Sequence, residues 1–451
     1  MLNRTVLTLL GLGVIFGSYA QVKTDSPYSR FGIGDLVDQN FAPLRAMGGI
    51  SAAFSDPYLT NLANPASLAM LKATSFEVGF DALNSQLSNG DQKESLWTGN
   101  LNYFSLAFPL INPVNRLLDR KSEDFNWGMS FALTPNSRVG YFTSIEEDLP
   151  QIGNIVREYG GDGGTNRFSF GNGVQYKQWR FGLNMGYLFG TIEEERAVLF
   201  QEIVLASNNY QATNASYRGF FWNAGIQYEI DLSTGKGKED ARTAQSLTLG
   251  LTGHSRWNFR TVSDNISTLK DITYKGLNDE FPDEITDTLS FSKGQENQGK
   301  MPGSISFGAV YKHSTKWILG ANFSSSAWSK YENGLKSEEG SNLDNAFQVS
   351  LGAQYVPDAS SYRYFYRRIS YRAGINFGTD PRTFQGEQIK NFTLNVGFGL
   401  PIVLSRQLSF INLGVAYGRY AGNIPVKTNF VRFNVGVTLN NNLWFYKRKF
   451  N

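Results

Sequence analysis

The 451-residue chain carries 42 Lys and Arg against 39 Asp and Glu, a net charge of +3, and it has no Cys. So small a charge excess argues against a nucleic-acid partner, and the missing cysteines exclude disulfides, thiolate nucleophiles and cysteine-ligated metals. Beyond Ala20 no stretch approaches the roughly 18 consecutive apolar residues of a membrane helix, yet the chain holds 46 Gly, 34 Phe, 22 Tyr and 8 Trp. That profile fits a transmembrane β-barrel, in which alternation dilutes the hydrophobicity and aromatics form interfacial girdles.

In chain order, residues 1–20 read as a signal peptide. A basic stub (Arg4) precedes the apolar stretch Val6–Phe16, and Ser18-Tyr19-Ala20 is a small-x-small cleavage signal. The apolar stretch is too short to cross ~30 Å of hydrocarbon. Cleavage between Ala20 and Gln21 leaves no cysteine for a lipid anchor, and places the chain on the route to the Gram-negative outer membrane.

Residues 21–73 show no alternation. Gly, Ala, Pro and Asn dominate, around Asn64-Pro65-Ala66, but Leu44, Met47, Ile50, Phe54, Leu59, Leu62 and Leu68 supply too much apolar surface for a disordered tail. The segment reads either as a plug in a barrel lumen or as an ordered periplasmic piece.

From residue 74 to 451 the chain reads as barrel strands with a period of two. Phe392, Leu394, Val396, Phe398 and Leu400 alternate with Thr393, Asn395, Gly397 and Gly399; Val431, Phe433, Val435, Val437 and Leu439 alternate with Arg432, Asn434, Gly436 and Thr438. The second face is small and polar, which suits a lumen while the apolar face meets lipid. On this reading Phe433→Lys is costly and Asn434→Lys is not. The strands fall at 74–84, 98–110, 125–146, 165–177, 179–193, 214–231, 245–260, 302–313, 316–331, 345–357, 367–379, 390–402, 407–420 and 429–440. Fourteen is even, as single-chain bacterial barrels require, and the long connections 147–164, 194–213 and 261–301 fall outside the cell.

That count depends on one choice. Pro135-Asn136-Ser137 could be the turn of a hairpin, which would make fifteen strands. Proline cannot donate to the ladder and is tolerated at bulges, so the parity favours one long, kinked strand.

Residue types that carry chemistry are scarce. His254 precedes Trp257 at a strand end and His313 sits at a tight turn; neither has the companions of a metal site or a nucleophile–base pair. Gly160 to Gly164 lacks a phosphate-cradling Lys-Ser/Thr and reads as an exposed loop tip. Asp279, Glu280, Asp283, Glu284 and Asp287 read as a solvated outer loop, since their spacing fits no dedicated calcium site. Arg367-Arg368 and Lys447-Arg448-Lys449 read as charges of the periplasmic rim. No catalytic residue, metal or cofactor is indicated.

Three stretches resemble the FadL family of outer-membrane channels for hydrophobic compounds. They are the Gly/Ala-rich segment ending Asn64-Pro65-Ala66-Ser67-Leu68-Ala69, the run Gly128 to Tyr141 with its interruption at Pro135, and Met301-Pro302-Gly303 through Trp328. They span about fifty residues; each is weak alone, and it is their order and spacing that match. The resemblance implies an all-β, 14-stranded antiparallel barrel with an N-terminal hatch over residues 21–73 that holds Asn64, Pro65 and Ala66. It also implies a wall kink at Pro135, Asn136 and Ser137 bordering a lateral opening. The implied function is passive uptake of hydrophobic or amphipathic small molecules, with the outer-membrane bilayer and a lipid-like ligand as partners. Inward-facing Asn, Ser, Gln and Arg372 depart from the family's apolar tunnel. Related barrels are non-transporting scaffold or shuttle subunits of secretion or assembly machines, with other outer-membrane proteins as partners, and that is the alternative.

Overall fold

The computed structural model describes residues 26–441 apart from 91, 112–123, 151, 204–205, 234–243, 272–275, 278–284, 337–342, 385 and 405–406. The signal-peptide assignment, the Lys447-Arg448-Lys449 cluster and four of the five outer-loop acids lie outside the described residues; Asp287 is within a strand.

Fourteen antiparallel strands close into a barrel. In chain order they are β1 Thr74–Asn89, β2 Gln92–Pro109, β3 Phe125–Leu149, β4 Gly153–Tyr176, β5 Trp179–Phe200 and β6 Asn208–Asp231. Next come two strands each broken into two arms, β7 (Gln245–His254, Trp257–Lys270) and β8 (Ile285–Met301, Ser304–His313). The rest are β9 Trp317–Ser326, β10 Ala346–Tyr355, β11 Ser370–Phe384, β12 Glu387–Leu404, β13 Gln407–Ala421 and β14 Lys427–Asn441. Closure is made by β14 against β1, from Thr74 opposite Asn441 to Ser88 opposite Lys427. Each strand contains one of the fourteen segments expected from the sequence, at least in part. Alternation holds: Phe433 and Val435 are exposed to the bilayer while Asn434 is 5 % exposed, inside the barrel.

The outer end differs from the sequence reading. Strands β3 to β6 run for 25, 24, 22 and 24 residues, although roughly 9–11 suffice to cross a bilayer. Most of the expected loops 147–164 and 194–213 are therefore strand, as are the far arms of β7 and β8. Above the membrane both faces of a strand meet water or other protein, so the apolar–polar dyad that marks a spanning segment disappears. Gly160 to Gly164, expected at a loop tip, lies inside β4 opposite Phe142 to Arg138. Glycine is needed at 161 because a β-carbon there would sit 2.4 Å from the Tyr141 ring.

Residues 26–73 lie within the barrel. Met47, Ala52, Phe54, Asn64 and Ala66 are all fully buried. The wall presents glycine where their backbone passes: a β-carbon at Gly250 would lie 2.0 Å from the Ala52 carbonyl oxygen, and one at Gly352 would lie 2.2 Å from that of Met47. Inward glycine therefore sets how closely this segment can approach the sheet.

Candidate functional site

Two features from the sequence bear on function: the Asn64-Pro65-Ala66 motif and the interruption at Pro135.

Asn64 caps the 3-10 helix Pro65–Met70, and proline begins that helix, where its missing N–H costs nothing. The Asn64 side-chain oxygen accepts from Ala66 N–H (3.0 Å), and its amide nitrogen donates to the Ala52 carbonyl (2.5 Å). Asn61 similarly donates to the carbonyls of Ser51 (2.7 Å) and Phe54 (2.9 Å). The two asparagines thus join the Ala46–Phe54 stretch to the helix. Outside the segment, Gly225 faces Asn64 and Gly182 faces Ala66 so closely that a β-carbon would collide. The motif packs against β5 and β6, with the Asn64 amide also reaching Leu251 O of β7 at 3.4 Å. Residues other than these border the kink.

The kink is a bulge in one continuous strand. Pairing of β3 with β4 shifts register between Pro135 and Ser137, leaving Asn136 as the extra residue. Its buried amide donates to Thr165 Oγ1 (2.8 Å), and Ser137 Oγ lies 2.7 Å from the same oxygen. On its other side β3 pairs with β2 over only Gly128 to Leu133. Beyond Leu133 the two strands part. β2 has its own extra residue, Asn102, where its register with β1 slips, and Asn102 accepts from Arg138 (2.9 Å).

The edge freed on β3 does not stay open. Asp35 and Leu36 pair with Arg138 and Ser137 as a two-residue strand. Val37 N–H donates to Asn136 O (3.0 Å), Gln39 to Pro135 O (2.9 Å) and Ser26 N–H to Gly140 O (3.0 Å). Unsatisfied backbone groups at membrane depth are costly; residues 26–39 supply the missing partners. The sequence marked the break but carried no sign of this replacement strand, since Asp35-Leu36 is too short to show periodicity.

Charged groups surround the seal. Asp81 on β1 lies 3.5 Å from Arg138 and 3.9 Å from Arg432. Arg45 reaches Asp38 (3.8 Å) and Asn434 (3.3 Å), and Arg382 pairs with Asp35 and Asp380. These residues line a cavity of about 330 Å³ in the outer half of the lumen. A second cavity of about 270 Å³, between the N-terminal segment and the wall, is bordered by Gln39, Asn40, Thr134, Arg167, Asn184 and Asn223 among others. Both mix polar and apolar walls, with the polar share somewhat the larger. Toward the periplasmic end Arg180 pairs with Glu229 and donates to Ser55 (3.2 Å), whose carbonyl accepts from Lys312 (2.5 Å).

The structure brings together one pair that sequence reasoning missed: His254 Nε2 and Ser304 Oγ are 3.0 Å apart where β7 and β8 are both broken. His254 Nδ1 contacts the Ser255 carbonyl, not a carboxylate, so the third member of a catalytic array is not supplied. His313 ends β8 at the tight turn to β9. No cluster of metal-ligating side chains occurs among the described residues.

A closed 14-stranded barrel with its N-terminal segment inside and a kinked third strand is a FadL-like outer-membrane barrel. The model of the BamG family matches residues 1–451, and the chain belongs to that family. The fold is similar to that of a Pseudomonas aeruginosa FadL homologue, at 12 % identity and TM-score 0.54, over 90 % of this chain and 99 % of that one. It is also similar to the Ralstonia pickettii toluene transporter TbuX (11 %, TM-score 0.51, 89 % and 98 % covered) and the P. putida toluene transporter TodX (13 %, TM-score 0.51, 91 % and 99 % covered). Among curated proteins none matches significantly. The resemblance read from the sequence thus holds for architecture, while family membership lies with BamG.

Proposed function

We propose that this chain is a sealed, non-transporting barrel subunit of an outer-membrane assembly machine. The observation that carries the reading is the seal itself: residues 26–39 take up the backbone groups that the kink releases. Charged and amide side chains such as Arg45, Asp81, Arg138, Arg432 and Asn434 interrupt the apolar surface of the interior behind the seal, which makes it a poorer path for an apolar solute, since each buried CH₂ contributes ~0.8 kcal/mol only where its surroundings are apolar. The name of the matched family points the same way. Depletion of the protein tests this. Loss of other outer-membrane barrels from the membrane, with toluene uptake unchanged, is the expected result; normal barrel assembly with lost uptake sinks it.

One observation favours a second reading, a passive channel for hydrophobic or amphipathic small molecules. Strands β2 and β3 do part beyond Leu133, and barrels of similar fold are toluene transporters. In this reading the segment around Asn64, Pro65 and Ala66 is a hatch, and a solute leaves sideways beside Pro135, Asn136 and Ser137. Pro135→Val separates the two: slowed uptake supports the channel, and unchanged uptake removes its basis.

A further inference from the structure

The link between β10 and β11, residues 356–369, stands at the same end of the barrel as Thr74 and Asn441. The tight turns after β4 and β8 lie there too, which identifies the periplasmic end. This link carries Tyr362-Arg363-Tyr364-Phe365-Tyr366-Arg367, six consecutive exposed residues, with Tyr362 fully so at 101 %. An exposed run of four aromatic rings is unusual for a loop in water and calls for a partner.

The loop is built, not loose. Val356 N–H donates to Lys316 O (2.8 Å), and Asp358 N–H donates to Arg367 O (2.8 Å). The Asp358 carboxylate accepts from Ser360 N–H (3.0 Å) and Oγ (2.7 Å), and Lys316 and Arg367 lie near it. Three guanidinium groups rest on the rings: Arg363 and Arg367 over Tyr364, at 5.4 and 4.9 Å, and Arg368 over Phe365 at 5.3 Å. Among the described residues none of the three makes an ion pair within 4.0 Å, Arg367 being only near Asp358, and Arg368 Nε is buried without a hydrogen-bond partner.

Height in the membrane identifies what these cations face. The hydroxyl of Tyr371, on the lipid side of β11, donates to the Tyr366 carbonyl (3.0 Å). Beside it Trp317 and Tyr355 pack 4.3 Å apart on the same outer face. This row is an aromatic girdle, which sits at the headgroup level. The loop therefore meets the bilayer where phosphates lie, with planar guanidinium groups suited to phosphate oxygens.

We propose that residues 362–368 form a binding site for anionic phospholipid headgroups of the periplasmic leaflet. Arg363, Arg367 and Arg368 contact phosphate while Tyr362, Phe365 and Tyr366 anchor in the interface. The assignment holds whether or not the barrel conducts.

The test uses the full-length protein, stripped of lipid in detergent and titrated with phosphatidylglycerol or phosphatidylcholine of the same acyl chains, with retention read by native mass spectrometry. About tenfold preference for phosphatidylglycerol is expected, since its headgroup carries the net negative charge that the three guanidinium groups meet and that of phosphatidylcholine carries none. The triple substitution R363Q/R367Q/R368Q abolishes the preference, and replacement of the three by lysine retains much of it. Equal retention of the two lipids by the wild type overturns the proposal, and this comparison depends on no variant folding. A preference unchanged in the glutamine variant overturns it too. If that variant keeps the preference but loses copurifying outer-membrane subunits, the surface is a protein dock instead.

Discussion

Asp35 and Arg382 form an ion pair across 347 residues of sequence, between the segment that caps β3 and the opposite wall on β11. The capping strand is thus held from both sides, by backbone pairing to β3 and by charge to β11. Arg382 is bound a second time by Asp380 at 2.6 Å.

Because Asp380 remains, Asp35→Asn should weaken this anchor without leaving the buried guanidinium unpaired. A cost of about 1–3 kcal/mol is expected, below that of stripping a buried charge of all its partners. Reversible unfolding in detergent measures it, with limited proteolysis of the N-terminal segment alongside. Unchanged stability and unchanged protease resistance would show that the ion pair does not hold the segment.

The motif at Asn64 is a packing joint. Asn64→Ala removes a helix cap and one of the two donors to the Ala52 carbonyl, which keeps Gln227 Nε2 at 3.1 Å, for about 1–2 kcal/mol. Gly225→Ala places a methyl group 1.9 Å from the Asn64 side-chain oxygen and should cost a similar ~1–3 kcal/mol by overpacking. If each costs its full amount and the double variant costs no more than one of them, the two act through a single contact. Full additivity would contradict that.

Lipid-facing and lumen-facing positions should differ in which charge they reject. Phe433→Lys, on the bilayer side, should cost ~2–4 kcal/mol. The sequence alone suggested that Asn434→Lys would be tolerated; the structure corrects this, because Asn434 is buried 3.3 Å from the Arg45 guanidinium. Lysine there adds repulsion, whereas Asn434→Asp gains an ion pair and should be the mildest of the three. Ranking the variants by urea midpoint in the folded barrel checks the order.

Deleting residues 26–39 should unseal the wall. The truncated barrel is expected to show discrete conductance in planar bilayers where the full chain shows none. Comparable conductance from both would remove the sealed-barrel reading.

Mature protein extracted from the membrane should have the mass of a chain beginning at Gln21. Retention of Met1 to Ala20 on intact-mass analysis would falsify the export argument.

The strand count, the lipid-facing register and the bulge at Pro135 were legible in the sequence. Each arises from a rule acting over one or two residues: alternation against lipid, or a proline without an N–H. The length of β3 to β6 was not legible, because above the membrane the environment no longer imposes a period of two. Nor was the fate of the freed β3 edge. Asp35 and Leu36 have no periodic signature, and only the folded chain brings them beside Ser137 and Arg138. The location of Asn64-Pro65-Ala66 against Gly182 and Gly225, away from the kink, was decided by the same long-range packing. What the sequence by itself determined is the barrel, since a bilayer forces every spanning strand to declare its outward face. What the tertiary structure decided is that residues 26–39 cap the freed edge of β3, since such pairing depends on which distant backbone groups meet, and single residues do not encode that locally.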